Sequence, residues 1–225
     1  MTIEFHADGF PRMHTVLPEG ASCGHVRVGH LTPTQKDAET SGLRAMFYGG
    51  RGSVRAGETI CQLYRNDRLW MSDSPDERRD HWKARQMVRF YGGHVLIGGL
   101  GLGMFSLLCA LHDSVDRVTT IEIDPNVIEL VTPHLRATLE GQGVDPDKLV
   151  VIEADLFDWQ PPKGARYDVV WFDIWATLCL DHLSQYATLN RRFGRRTVGW
   201  RGCWGEELLK ARRQQEKRTR RGWRW

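Results

Sequence analysis

The sequence predicts an α/β fold built around a mostly parallel sheet. Beyond residue 93, short apolar segments of strand character alternate with segments of helical length. The strand segments carry apolar residues at consecutive positions, which is typical of parallel strands covered by helices on both faces. A glycine-rich turn follows the first of these strands, where such sheets commonly bind ligands. We therefore expect a parallel sheet with helices on both faces, preceded by a small β-rich N-terminal region.

Residues 1–73 are predicted to form this small β-rich region. Three segments show strand character, and a turn is expected between the last two because Asn and Asp favour tight turns. The strands are placed at 25–31, 59–64 and 68–72, with the turn at 66–68. The N-terminal region should therefore form a separate small sheet.

A helix is predicted over 74–91, with the sequence SPDERRDHWKARQMVRFY. Ser74 suits the N-cap, Pro75 the first helical position, and Glu77 would complete a capping box with Ser74. Two glycines follow the segment and end it.

The remaining elements follow in alternation. Strands are predicted at 94–98, 117–123, 148–154 and 167–173, and helices at 102–113 and 125–141. The rest of the chain contains a helix-like stretch at 175–190, a short strand within 195–202 and a polar helix at 205–219. Because this is too little for three further strand–helix units, a seven-stranded pattern would be shortened at its C-terminal end. The domain division expected is 1–73, 74–204 and a basic tail at 205–225.

Composition favours a soluble protein of the cytoplasm without a metal site. The chain opens with no basic-then-apolar signal pattern, and its apolar runs are far shorter than the about 20 residues that span a bilayer. The five cysteines are scattered without a CxxC, and the nine histidines form no HExxH pattern. We therefore expect reduced thiols, no structural zinc and no membrane partner.

Positive charge is concentrated at the C-terminal end. Residues 191–225 hold 13 Lys/Arg and 3 Asp/Glu, whereas the rest of the chain holds 18 and 25. A basic segment on an acidic body favours an anionic partner, and arginine interleaved with tryptophan in 210–225 would suit nucleic acid. A solvated helix without a partner explains the same composition, so both interpretations stay open. Self-association stays open as well, because the sequence does not determine the oligomeric state.

The glycine-rich turn lies in HVLIGGLGLGM, residues 94–104. It contains Gly98, Gly99, Gly101 and Gly103. A dinucleotide fingerprint needs a third glycine where Met104 stands, so the pattern is G-x-G-x-G instead. Glycines here let either a ligand or a neighbouring helix approach the backbone, and the turn alone does not distinguish the two.

Acidic residues follow the next two strands. Glu122 ends the second strand, 19 residues beyond Gly103, where a carboxylate can accept both hydroxyls of a ribose. Asp155 follows the third strand and could bond an adenine amino group, with Leu156 against the ring. Asp124 precedes a proline and suits a helix cap. Sites at consecutive carboxyl ends of parallel strands together predict a nucleoside-binding cleft.

These segments resemble the class I S-adenosylmethionine-dependent methyltransferase fold, and most closely its spermidine synthase branch. VLIGGLGLG is similar to the glycine loop, IEID to the ribose segment, ADLF to the adenine segment and YDVVWFD to the fourth strand. The matched run covers roughly 58–175. The resemblance implies S-adenosylmethionine as cofactor. It assigns cofactor binding to Gly98, Gly99, Gly101, Gly103, Glu122, Asp155 and Leu156.

The resemblance also implies a reacting centre after the fourth strand. Asp173 ends that strand and is the candidate for accepting a proton from the acceptor or orienting it. Trp175 is expected beside the acceptor, because tryptophan stacks on flat or cationic groups.

Two departures from the branch bear on the acceptor. Leu102 stands where aminopropyltransferases carry an aspartate, and Ala176 stands where they carry a second acid after Asp173. A polyamine needs several carboxylates to offset its charge, which favours a methyltransferase acting on a small molecule or a nucleic acid. The alternatives are an aminopropyltransferase using decarboxylated S-adenosylmethionine and a non-catalytic nucleic-acid-binding protein on the same fold.

Overall fold

The computed structural model describes residues 3–47 and 54–222. They form two sheets, an antiparallel sheet of four strands and a parallel sheet of five. The expected α/β class, with a separate small β region before a Rossmann-like parallel sheet, is confirmed. No helix in the described part of the chain is long and apolar enough to cross a membrane.

The N-terminal sheet contains the three predicted strands and one more. Its strands are β1 (Ser22–Cys23), β2 (Val26–Leu31), β3 (Ile60–Arg65) and β4 (Arg68–Ser72), in the order β1-β2-β3-β4. Asn66 and Asp67 turn the chain between β3 and β4 with φ of 50° and 58°, a conformation that Asn and Asp tolerate better than most residues.

A helix that we did not expect, α1 (Gln35–Phe47), interrupts this β region. Its start is a reciprocal capping box. The Asp37 carboxylate accepts the backbone N–H of Thr34 at 2.9 Å, and the Thr34 hydroxyl accepts that of Asp37 at 3.3 Å. The T-x-x-D pattern was therefore a local signal for this helix.

The single helix predicted at 74–91 is two helices, α2 (Pro75–Asp80) and α3 (Trp82–Tyr91). Ser74 makes no side-chain capping bond, so the predicted capping box is wrong. The two helices bury different surfaces: α2 buries Arg78 against the N-terminal segment, whereas α3 buries Ala84 and Val88 in the core beside the parallel sheet. The interruption at His81 lets both surfaces be covered.

The parallel sheet has the strand order β7-β6-β5-β8-β9. Its strands are β5 (Gly93–Gly98), β6 (Val115–Glu122), β7 (Leu149–Glu153), β8 (Tyr167–Phe172) and β9 (Thr197–Cys203). All four neighbouring pairs run parallel. The order reverses at β5, between β6 and β8, which is where open α/β sheets bind ligands.

Helices cover both faces of this sheet. They are α4 (Met104–Ala110), α5 (Pro125–Gly141), α6 (His182–Gly194) and α7 (Glu206–Gly222), together with α3. Along β5, Val95 and Ile97 join the core cluster of α3, α4 and α5, whereas Leu96 joins that of α6 and α7. The helix predicted from 175 begins only at His182, because a loop follows β8.

The N-terminal region shares its core with the parallel sheet. Phe10, Met13 and Val28 belong to the same buried apolar cluster as Val95 and Val131. The N-terminal sheet therefore packs against the carboxyl edge of the parallel sheet rather than forming an isolated unit.

Candidate active site

A cleft of about 320 Å³ lies at the carboxyl edge of the parallel sheet. Four strand ends line it through Gly99, Glu122, Asp155 and Asp173. The N-terminal sheet covers it from the other side, and α2 contributes Glu77. The volume suits a small-molecule site, which typically occupies about 300–1,000 Å³.

Two of the predicted glycines line the cleft. Gly99 has φ of 93°, and a Cβ there would lie 2.2 Å from the carbonyl oxygen of Asp173. Gly101 has φ of 53°, and its Cβ would lie 2.0 Å from the sulfur of Met71. That sulfur accepts the backbone N–H of Leu102 at 3.3 Å. The glycines therefore permit close packing of the chain on itself at the floor and roof of the cleft.

Gly98 and Gly103 lie behind the turn and outside the cleft lining. A Cβ on Gly98 would lie 2.6 Å from Leu156, and one on Gly103 would lie 2.4 Å from Leu135. Gly103 also provides the left-handed N-cap of α4. The positions of these two glycines favour a packing role over the cofactor contact that the resemblance implied.

Glu122 holds the glycine turn in place. Its carboxylate accepts the backbone N–H of Leu100 at 2.8 Å, of Ile123 at 2.9 Å and of Asp124 at 3.0 Å. A carboxylate offers about four acceptor positions. One position is therefore left for a ribose hydroxyl, whereas the sequence had suggested two.

Asp155 and Leu156 follow β7, at the far end of the cleft. Asp155 accepts the backbone N–H of Phe157 at 2.7 Å through one carboxylate oxygen. Within the described residues, nothing bonds its other oxygen. Leu156 is buried, and it lines the cleft together with Phe157. This end thus combines apolar surface with one acceptor, a combination that suits a purine ring carrying an amino group.

Asp124 joins the N-terminal sheet to the parallel sheet. It caps α5 by accepting the N–H of Asn126 at 3.1 Å, the capping role expected of it. Its other oxygen lies 2.8 Å from His25 Nε2 and 3.0 Å from Arg65 Nη2. Since Asp124 is itself buried, these bonds hold β2 and β3 against the start of α5 and so position the cover of the cleft.

Asp173 lies opposite the glycine turn with its side chain 18% exposed. Burial raises the pKa of this carboxyl well above its ordinary value, and the carboxylates of Glu77 and Asp80 raise it further. Desolvation and like charges both disfavour ionisation, so Asp173 holds a proton more tightly than an ordinary aspartate.

His81 is the neighbour of Asp173 that sequence reasoning missed. Its ring is buried and stacks on Phe105 with centroids 5.1 Å apart, and burial lowers its pKa to about 4. The indole N–H of Trp171 donates to His81 Nδ1 at 3.1 Å. The neutral ring therefore carries its proton on Nε2, which lies 3.4 Å from the Asp173 carboxylate.

Carboxylates and indoles share the side of the cleft around Asp173. Glu77 lines the cleft one helical turn before Asp80, which accepts the indole N–H of Trp204 at 2.7 Å. Trp175 lines the same side, and its indole donates to Gln185 at 2.5 Å. Sequence reasoning had assigned Glu77 to a helix cap. Its spacing from Asp80 was the only local signal that the two acids share a face.

Within the described residues, no group of His, Cys, Asp and Glu side chains could hold a metal ion.

Comparison with known proteins gives one curated relative. No protein-family profile matches the chain. The chain is 33% identical to polyamine aminopropyltransferase 1 of Streptomyces coelicolor over 127 residues. The match covers 55% of this chain and 23% of that protein. This chain thus spans about a quarter of that relative's length. The match agrees with the resemblance to the spermidine synthase branch.

Solved structures similar to the chain include two methyltransferases. The N-methyltransferase NodS of Bradyrhizobium japonicum WM9 has a TM-score of 0.43 and 16% identity over 56% of this chain and 65% of its own. CcbJ of Streptomyces caelestis has a TM-score of 0.43 and 19% identity over 57% and 49%. The Rossmann-like architecture itself follows from the strand order of this chain.

Proposed function

We propose that the chain is an S-adenosylmethionine-dependent methyltransferase whose reacting centre lies beside Asp173. The observation that supports this most is a cleft in which four consecutive strand ends present a glycine turn, the carboxylates of Glu122 and Asp155, and Asp173 with a raised pKa. The resemblance stated above supplies the cofactor.

The residues of the cleft fit this cofactor chemically. Glu122 keeps one acceptor position, which suits a ribose hydroxyl, and Asp155 keeps one oxygen for an adenine amino group. Leu156 and Phe157 offer apolar surface to the adenine ring. When bound, S-adenosylmethionine supplies a methyl group already made electrophilic by the sulfonium.

The residues around the reacting centre then have to orient an acceptor, take its proton and exclude water. Asp173 takes the proton at its carboxylate, which the His81 Nε2–H holds in place. Met71 lies over the glycine turn and excludes water from above. Trp175 lines the same side of the cleft as Asp173 and would contact the acceptor there.

Calorimetric titration with S-adenosylmethionine and, separately, with its decarboxylated form tests the proposal. We expect tighter binding of the carboxylated form. Tighter binding of the decarboxylated form would transfer support to aminopropyl transfer, and binding of neither would overturn the assignment of the cleft.

Replacing Glu122 with alanine should weaken S-adenosylmethionine binding by about 1.5–3 kcal/mol, the cost of a lost charged hydrogen bond. The loss has two sources, the missing ligand bond and the three released backbone N–H groups of the turn. Calorimetry measures the change in affinity.

Glu153 is the matched control for Glu122, because it is its register partner on β7, is exposed and does not line the cleft. Glu153→Ala should bind like the parent chain. Equal affinity of the Glu122 and Glu153 variants would place the cofactor elsewhere.

A second candidate, aminopropyl transfer to a diamine, is favoured by Glu77, the acid that α2 brings into the cleft. The sequence argument against it rested on Leu102 and Ala176. Leu102 is fully buried and does not line the cleft. Glu77 and Asp80 raise the pKa of Asp173, which places three carboxyl groups within interaction range. Together they could offset the charge of a cationic amine.

Replacing Glu77 with glutamine discriminates this second candidate. With decarboxylated S-adenosylmethionine and 1,4-diaminobutane, the KM for the diamine should rise about 10-fold or more, because one charged hydrogen bond to the amine is lost. Release of methylthioadenosine measures turnover. Glu140→Gln, at an exposed position on α5, controls for the loss of charge. An unchanged KM would remove Glu77 from the acceptor site, and absence of turnover in the parent chain would end this candidate.

A further inference from the structure

Helix α7 is anchored to the body through its first turn. Leu209 is buried, Glu207 pairs with Lys83, and Glu206 accepts the Asn190 amide at 3.0 Å. Every residue from 210 to 219 is exposed. Arg213, Glu216 and Lys217 line one side of an open groove, and Asp181 and Ser184 at the start of α6 line the other. None of these α7 side chains is buried there, so this part of the helix remains open to a partner.

The exposed part of this polar helix has few interactions that stabilise it. Isolated helices shorter than about 12–15 residues are marginal in water. The exposed part carries one intrahelical i,i+4 ion pair, between Arg212 and Glu216 at 3.8 Å, and such pairs contribute only about 0.3–0.5 kcal/mol. A partner that binds this helix would supply stabilisation that the body does not.

The charges on the exposed part of α7 indicate an anionic partner. Residues 208–219 contain five Lys/Arg and one Asp/Glu. Lys210, Arg213 and Lys217 follow i, i+3, i+7 spacing, so they lie on one face of α7. We call these three residues the basic stripe. Lys210 also pairs with Glu206 at 2.6 Å, whereas Arg213 and Lys217 have no acidic partner within the described residues.

We propose that the basic stripe binds the phosphodiester backbone of a single-stranded nucleic acid. A regularly spaced row of cations complements the evenly spaced phosphates of an extended strand, and binding through phosphates needs no base-specific groups. α7 begins shortly after Trp204, which lines the cleft. A strand bound to the stripe would therefore be held near the rim of the cleft.

Fluorescence anisotropy with a labelled 20-nucleotide single strand tests the proposal on the full chain. The variant carries Lys210→Gln, Arg213→Gln and Lys217→Gln. Its affinity should fall at least 10-fold at low salt. The slope of log K against log salt should flatten by about 2, because each lost phosphate contact removes about 0.7 on a single strand.

The matched control carries Lys36→Gln, Arg68→Gln and Arg117→Gln, three exposed cations outside α7 with the same change in net charge. It should bind like the parent chain. Equal loss of affinity in both variants would mean that net charge alone causes the effect, and this would overturn the proposal. Absence of binding by the parent chain would overturn it as well. Competition by poly-glutamate as effective as by an unlabelled strand would identify an acidic-protein surface instead and overturn it.

The outcome is separable from the proposed methyltransferase activity. Calorimetric binding of S-adenosylmethionine should be the same in the stripe variant and the parent chain, because no stripe residue lines the cleft. Circular dichroism checks that α7 is still formed in the variant. A variant that loses helix content is replaced by Arg213→Gln and Lys217→Gln alone, for which the same anisotropy criteria decide.

Discussion

Replacing Asp173 with asparagine is expected to reduce turnover by about 10²–10⁴-fold, the range typical of a lost general base. Asparagine has nearly the same shape but cannot take the acceptor's proton. S-adenosylmethionine affinity should not change, since the change affects proton transfer rather than the nucleoside contacts. Release of S-adenosylhomocysteine measures turnover with any acceptor that a screen identifies, and calorimetry measures binding.

The same substitution should stabilise the fold by about 0.5–2 kcal/mol at neutral pH, the usual gain from relieving a strained functional site. Burial, with Glu77 and Asp80, raises the pKa of Asp173 above its ordinary 3.8. Between pH 3.8 and the raised value, the folded state therefore retains a proton that the unfolded chain has lost. The stability of the parent chain falls as the pH rises from 3.8 through this raised value. The Asp173→Asn variant does not lose stability in this way. Its gain in stability over the parent chain should therefore disappear as the pH falls to about 3.8.

The pH dependence of stability should differ between Asp173→Asn and the parent chain, and His81 contributes to both. Burial lowers the pKa of His81 from 6.5 to about 4, so its contribution to stability is lost as the pH falls through that interval. In the parent chain the slopes of His81 and Asp173 oppose each other. In Asp173→Asn the slope of His81 remains and adds to those of His14 and His94, whose pKa values are also lowered by burial. Urea unfolding at several pH values measures both. Asp158→Asn, at an exposed loop position, is the control. Equal stability of parent and variant at pH 7 would contradict the assignment of Asp173 as a strained acid.

Replacing Gly99 with alanine is expected to destabilise the fold by about 3 kcal/mol and to abolish measurable cofactor binding. Two costs add, about 1–2 kcal/mol for a left-handed residue with a Cβ and about 1–3 kcal/mol for overpacking. The clash at 2.2 Å is with the backbone carbonyl of Asp173. That segment cannot move freely, because the Asp173 N–H donates to the Gly98 carbonyl at 2.8 Å and the Gly99 N–H to the Ile121 carbonyl at 2.8 Å.

A variant at Gly143 separates the cost of the left-handed backbone from the cost of overpacking. Gly143 also has a positive φ, 72°, but a Cβ there would meet nothing within 4 Å. Gly143→Ala should therefore lose only the backbone part, about 1–2 kcal/mol, and bind the cofactor normally. Urea unfolding compares the two variants. If both lose the same stability, the close approach of Gly99 to Asp173 is not tight in solution.

The strands and helices around the cleft were predictable because each has a local pattern. Consecutive apolar residues identified β5, β6, β7 and β8, and the carboxyl ends of parallel strands must meet at one edge. This geometry predicts Glu122, Asp155 and Asp173 at one edge, and all three line the cleft there. Helix α1 also had a local pattern, its capping box at Thr34, but the Gly- and Thr-rich surroundings obscured it.

The reason for each glycine could not be predicted. Gly99 and Gly101 lie under Asp173 and Met71, residues that are 74 and 30 positions away in the chain. A glycine indicates that another group lies close to the backbone, but it does not identify that group. For Gly99 the neighbour depends on the pairing of β5 with β8, and for Gly101 it depends on how the two sheets pack. The same holds for the number of acceptor positions left on Glu122, which the turn amides decide.

The sequence by itself determined the α/β class, the parallel sheet, the cleft edge and the acid after β8. These follow from periodicity within a few residues and from the geometry of parallel strands. Only the tertiary structure decided that α2 brings Glu77 into the cleft and that the charge of Asp80 acts on Asp173. It also decided that the helix is interrupted at His81 and that Trp171 sets the tautomer facing Asp173. Trp171 and His81 are 90 residues apart and meet because α2, α3 and β8 bury separate surfaces in one core, a packing outcome that no local pattern encodes.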